Sequence, residues 1–302
     1  MKNLSFISTS SNPDYTFHTF SMSENKIKCE FFKEKIYEMD NLELNTKHKS
    51  PFYTFGIAMN DENLYVSSHA KIGIFNSKNY DYIGLVEGLS CGLITHQILL
   101  YDNLLYISNT SNDSLGIFDL ETNKNKYVLL KSDISDGFDV VDKVEFPDNF
   151  DEIDNLHFNA LCKYGDSIFV LLSMKGKGSS KVIELSSKDY QPINLIDNFG
   201  NFNHDLLVTG DKIYSISSNT GEFVEYDRNS NTFQRYSITP YPNDWWARGF
   251  KKIENSMYIF IGEHQNSFKN IPFTIVKEFD LIEKKIISTN LIPLKGNIYQ
   301  VI

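Results

Sequence analysis

THQILLYDNLLYISNTSNDSLGIFDLETNK, residues 95–124, and NHDLLVTGDKIYSISSNTGEFVEYDRNSN, residues 203–231, are two copies of one pattern. Each reads as an apolar strand, a polar Asp/Gly/Asn turn, an aromatic-bearing strand, a Ser/Asn/Gly turn, and a third strand that ends at an acid. Short strands broken by such turns are successive antiparallel partners. Segments starting at Phe55, His157 and Ala247 follow the same template. An aromatic in the second strand sets a common register: Tyr65, Tyr106, Phe169, Tyr214 and Tyr258 lie ten positions after Phe55, His96, Asn159, His204 and Arg248.

Those five anchors recur at roughly 40 to 45 residues, the length of a four-stranded propeller blade. Between His96 and Asn159 about twenty further residues are inserted, beyond that blade length. The excess falls in an acidic stretch at about 133–155, read as a surface excursion or, alternatively, a lid over the site. Five blades leave the ends unused. The C-terminal GNIYQVI has the character of a lone inner strand, and the N-terminal NLSFISTS, DYTFHTFSMS and NKIKCEFF of three strands lacking one. Residues 1–302 are therefore expected to form one all-β domain, a six-bladed β-propeller whose last blade joins the C-terminal inner strand to the N-terminal strands. That closure would remove exposed sheet edges.

Composition agrees with a β-rich core: 41% of the 302 residues are hydrophobic and 14% aromatic, with 23 Phe and 17 Tyr. A formal charge of −10 argues against a nucleic-acid surface. No apolar run suits a signal peptide or membrane span, and Cys29, Cys91 and Cys162 lack paired short spacings. A cytoplasmic protein with no membrane association is the expectation.

In a propeller the inner strands surround a central channel, so the anchors should meet at one mouth. His157 shares a strand face with Asn159. Three of the seven histidines, His96, His157 and His204, are thereby drawn together. Neutral imidazoles suit Zn²⁺, Fe²⁺ or Cu²⁺ and would leave coordination positions open for water or substrate. The alternative is that each histidine bonds a neighbouring blade. Arg248 is a candidate clamp for a substrate anion, Asn159 and Glu263 candidate orienting or general-base groups, and Trp245 and Trp246 candidate stacking surfaces. The alternatives are an inter-blade ion pair for Arg248, a solvated turn for Glu263 with His264, and inter-blade packing for the tryptophans. His69 and Lys175 belong with Glu263 and His264 in a second ring. No GxSxG, HExxH, P-loop or GxGxxG motif is present, so neither nucleophilic serine chemistry nor an organic cofactor is expected.

His157-Phe158-Asn159-Ala160, His204 with SSNTGEFVEYD, and Arg248-Gly249 followed by IFIGEHQ resemble a family of bacterial six-bladed propellers whose inner strands begin HxNG, PHSP and PRG. That family is distantly similar to NHL, gluconolactonase and strictosidine-synthase-like propellers. Ala160 and Asp205 depart from it, standing where Gly and Ser are expected. The calcium lactonases among these relatives use Glu, Asn and Asp ligands. Histidines here bring the chain closer, by analogy, to zinc-dependent peptide amidating lyases. The function expected is a metal-dependent lyase or hydrolase acting on a small polar or anionic substrate at the channel mouth. The alternative is a non-catalytic propeller that binds a ligand or protein partner on its top face.

Overall fold

The computed structural model describes residues 3–9, 16–21, 26–30, 56–68, 71–89, 95–130, 137–144, 155–242, 244–264, 271–294 and 297–302. Phe55, His48, His69 and Cys91, and most of the acidic stretch, lie outside these residues. Of His18, Cys29 and Tyr299 only the backbone is described.

The described strands pair almost wholly as antiparallel meanders, and the chain is an all-β propeller. Five sheets are described in full, with inner strands Ile57–Met59, Thr95–Tyr101, Phe158–Tyr164, Asn203–Thr209 and Trp245–Ile253. A further sheet is described through its backbone pairing: Asn297–Val301 lies beside Asn3–Thr9, followed by Thr16–Ser21 and Lys26–Glu30. Successive inner strands touch from Ile57–Met59 round to Asn297–Val301. Gln300 joins this strand to the first two inner strands, accepting from Ile57 N at 2.8 Å and donating to Ile98 O at 2.9 Å.

The repeat is legible because four of the blades use the same turn. Asp119, Asp227 and Asp280 end a third strand, and each Oδ1 accepts the backbone N–H groups two and three residues on, at 2.7–3.0 Å. Asn76 does the same in the first full sheet. One residue further the backbone turns left-handed, at Tyr80, Asn123, Asn231 and Lys284, which completes the hairpin. In SNTGE the left-handed residue is Gly221, where a Cβ would lie 2.6 Å from Thr239 O.

The core lies between sheets. Tyr65, Tyr106, Phe169, Tyr214 and Tyr258, the register aromatics, are all buried. Apolar clusters fill each junction, such as Leu115, Phe138, Phe158 and Ile183, or Ile216, Phe223, Phe250 and Phe279. Each fully buried Phe contributes about 2–3 kcal/mol relative to exposure. Buried acids add polar ties from blade to blade: Glu184 accepts from Arg228 at 3.2 Å, and Glu225 pairs with Lys284 as well as with Lys212 of its own sheet, the latter at 3.1 Å.

The acidic stretch is in part sheet, a correction to the expected surface excursion. Phe138–Val141 adds a fifth strand to the outer edge of its sheet, pairing Leu130 with Phe138 and Tyr127 with Val141. The apolar Phe138, Val140 and Val141 give that segment strand character, and Phe138 is buried in the junction with the next sheet. Among the described residues the only helical segments are two 3₁₀ turns, and no helix is long and apolar enough to cross a membrane.

Candidate functional site

Four consecutive inner strands each carry one extra residue near the anchor position. The pairing skips between Thr95 and Ile98, at Asn159, at Asp205 and at Arg248. Such bulges re-aim side chains and end regular pairing. Backbone at His157, Phe202 and Asp205 is left-handed, with φ of 57°, 55° and 58°. The bulges and left-handed residues turn the anchors out of the blades and toward one another.

The imidazoles converge. Ring centroids of His96 and His157 are 4.9 Å apart, and those of His96 and His204 6.4 Å. Two residues before successive anchors stand His157, Phe202 and Trp246, an aromatic rim with centroid spacings of 5.7 and 5.6 Å. Arg248 lays its guanidinium over the Trp246 ring at 4.1 Å, and His264 meets the same indole edge-on at 4.1 Å. His96, His157, His204, Asn159, Arg248 and Trp246 are all buried.

Burial lowers the basicity of His96 and His204 well below the ordinary histidine value. For His96 the neighbouring His157 and then Arg248 add to it; for His204 Arg248 comes first, then the other two rings. Both are therefore neutral near pH 7. His264 is lowered in the same way, by burial first and then by Arg248.

His204 has a defined tautomer. Ser218 donates its hydroxyl proton to Ala247 O at 2.6 Å, so the contact of 2.8 Å between Ser218 Oγ and His204 Nδ1 is one in which the ring donates. Nε2 is left with a lone pair, buried and without a hydrogen-bond partner. Asn159 Nδ2 and Trp246 Nε1 are buried donors also lacking partners.

Directly beside this cluster lies a polar network in which the buried groups are matched. Gln97 donates to Asp205 Oδ1 at 3.1 Å across the channel and accepts from Leu161 N. Asp205 also accepts from Leu206 N and Phe250 N, both at 2.9 Å. Full burial nevertheless raises its pKa to about 6.

Other expected site residues go elsewhere. Glu263 pairs opposite Trp245, and side chains alternate along the strand, so both face away from Trp246. Glu263 Oε2 accepts from Ile271 N at 2.9 Å, and Trp245 packs on Phe273 at 5.7 Å. Trp246 reaches the cluster, but its faces meet Arg248 and Phe202, so it supports the guanidinium instead of offering a bare stacking surface. Lys175 sits in the 3₁₀ turn Met174–Gly176. Although the rings gather, among the described residues no group of three or more His, Cys, Asp or Glu side chains is disposed to hold a metal ion.

Three contributors were absent from the sequence reading. Phe202 could have been found, because it stands two before His204 as Trp246 stands two before Arg248. Ser218 gives no such signal. Neither does Asp113, whose carboxylate accepts from the backbone N–H groups of Asn155, Leu156 and His157 at 2.8–2.9 Å and so fixes the chain leading into His157.

No family model and no curated protein matches the chain. Solved structures do. A chain of the nidogen/laminin complex aligns over 99% of this chain and 97% of its own length, with a TM-score of 0.63 at 9% identity. The Pan2 WD40 domain of Neurospora crassa aligns over 80% of this chain and 66% of that one, at TM-score 0.53 and 12% identity. The computationally designed protein Ika8 gives TM-score 0.53 and 8% identity over 98% and 90%. These likenesses show the propeller fold alone; they do not single out the NHL or gluconolactonase propellers.

Proposed function

We propose that this chain is a ligand-binding propeller, a ring of six blades closed by both chain ends, that takes a small anion at the channel mouth between His96, His204 and Arg248. Six sheets and the Gln300 bridge support the closed ring. The observation that carries the binding reading is a cation and neutral imidazoles gathered from successive inner strands, with His204 Nε2 buried and unpartnered. Leaving buried polar atoms unmatched costs stability, and a polar ligand would match them. Arg248, held flat on Trp246, brings to the mouth a guanidinium, the group that recognises an anion through paired N–H bonds.

The test is calorimetric titration of the whole protein with small carboxylates and phosphate, repeated on Arg248→Met. Binding that disappears in the variant supports the reading. No binding to wild type, with a protein retained instead, would favour a protein partner at this end, a use to which the nidogen/laminin complex lends a precedent. The metal-dependent lyase or hydrolase is a second reading, favoured by the His204 lone pair and disfavoured because among the described residues no three His, Cys, Asp or Glu side chains are disposed to hold a metal ion. Near-stoichiometric metal in tag-free protein, lost in His96→Ala/His204→Ala, would bring it forward.

A further inference from the structure

We infer that the ligand must itself donate a proton: it is an anion carrying a hydroxyl or acidic O–H, of the hydrogen phosphate or α-hydroxy acid class, and not an all-acceptor anion such as sulfate. This rests on the binding reading above and sharpens it.

Ser218 has one hydroxyl proton, and Ala247 O can only accept, so that proton is committed at 2.6 Å. His204 must then supply the proton in its 2.8 Å contact with Ser218. A neutral imidazole has only one N–H. Nε2 is consequently an acceptor, and because the two ring nitrogens point in widely divergent directions it is turned away from Ser218. Ring protonation would reverse this; burial and the Arg248 charge oppose it and outweigh a backbone contact with Phe202 that favours it.

Around that acceptor the groups are mostly donors, and the neutral His96 ring, 6.4 Å away centroid to centroid, brings one N–H and one lone pair. Arg248 can only donate; Trp246 Nε1 and Asn159 Nδ2 are buried donors without partners. The Trp246 ring that carries Arg248 lies 6.0 Å from His204, centroid to centroid. The complement is therefore mostly acceptor oxygens with one O–H. Sulfate would set an oxygen lone pair against the Nε2 lone pair. Hydrogen phosphate, or a carboxylate with a neighbouring hydroxyl, would meet both kinds of group. A site built around such a bond rejects the analogue lacking it more strongly than a purely apolar pocket rejects a missing methylene.

Paired probes separate the cases: phosphate against sulfate, and lactate against propionate, titrated into the full chain at pH 7. The expected result is a preference of about 100-fold for the proton-donating member of whichever pair binds. Phosphate binding alone, or lactate alone, identifies the source of the anion. Ser218→Ala is expected to erase that preference while retaining anion binding, and Ser218→Thr to restore it. Long-range ¹H–¹⁵N spectra should show His204 protonated at Nδ1.

Equal affinity within both pairs, with binding still lost in Arg248→Met, would overturn the proton-donor inference and leave the anion site standing. No binding of any probe would remove both. An Nε2–H tautomer in the free protein would overturn the inference whatever binds.

Discussion

His204 and Asp205 are neighbours in the chain, both buried, yet they stand in opposite kinds of surroundings. Asp205 belongs to the channel network with Gln97, where Oδ1 and Oδ2 meet backbone or side-chain donors. His204 belongs to the mouth, where Nε2 meets nothing. The bulge at Asp205 sends these successive side chains to different places. The contrast teaches that buried polarity alone does not mark a site: a network with every group matched specifies structure, whereas one with aimed and unmatched groups awaits a ligand.

Mutation can break that comparison. The largest expected loss is for Asp205→Ala, which strands Gln97, Leu206 N and Phe250 N and should cost about 3 kcal/mol or more in urea denaturation. Gln97→Ala, which strands Leu161 N and removes one of the two donors to Asp205 Oδ1, should cost about 2 kcal/mol by the same measurement. His204→Phe removes an unmatched atom from the mouth and should leave stability within about 1 kcal/mol of wild type. A loss as large as that of Asp205→Ala would show the mouth to be structural and end the distinction.

The same contrast has a pH signature. Asp205 titrates near 6 in the folded protein, above its ordinary value of 3.8, so the folded state holds the proton longer than the unfolded chain. Its contribution to stability is therefore full below about pH 4 and lost as pH rises through about 6. Melting of wild type against Asp205→Asn across that range should show the fall only in wild type. The hairpin aspartates have the opposite sign. Asp227, lowered to about 2 chiefly by its bond from Lys212, contributes stability above its unfolded value and loses it as pH falls toward 2. Asp227→Asn should flatten that acid limb slightly, the smallest effect of the series.

Much of this architecture was open to reading in one dimension. Strand, turn and blade length recur because the blades solve the same local problem with similar residues: an Asp or Asn closing the outer hairpin in four of them, an aromatic filling the inter-sheet space. His96, Asn159, His204 and Arg248 were legible as equivalents for that reason. Glu263 was misassigned to the site because a strand end was placed at the mouth without its pairing partner, and the partner, Trp245, faces the other way.

The sequence by itself determined the all-β repeat, its hairpin chemistry and the set of inner-strand anchors, since these depend on periodicity and on contacts a few residues apart. Only the tertiary structure decided the bulges, the Gln97–Asp205 bridge and the tautomer of His204. The bridge and the tautomer join groups from different blades, Gln97 with Asp205 and Ser218 with Ala247, and the bulges aim the anchors out of their own sheets. No local pattern encodes which distant backbone oxygen a hydroxyl will meet once the ring closes.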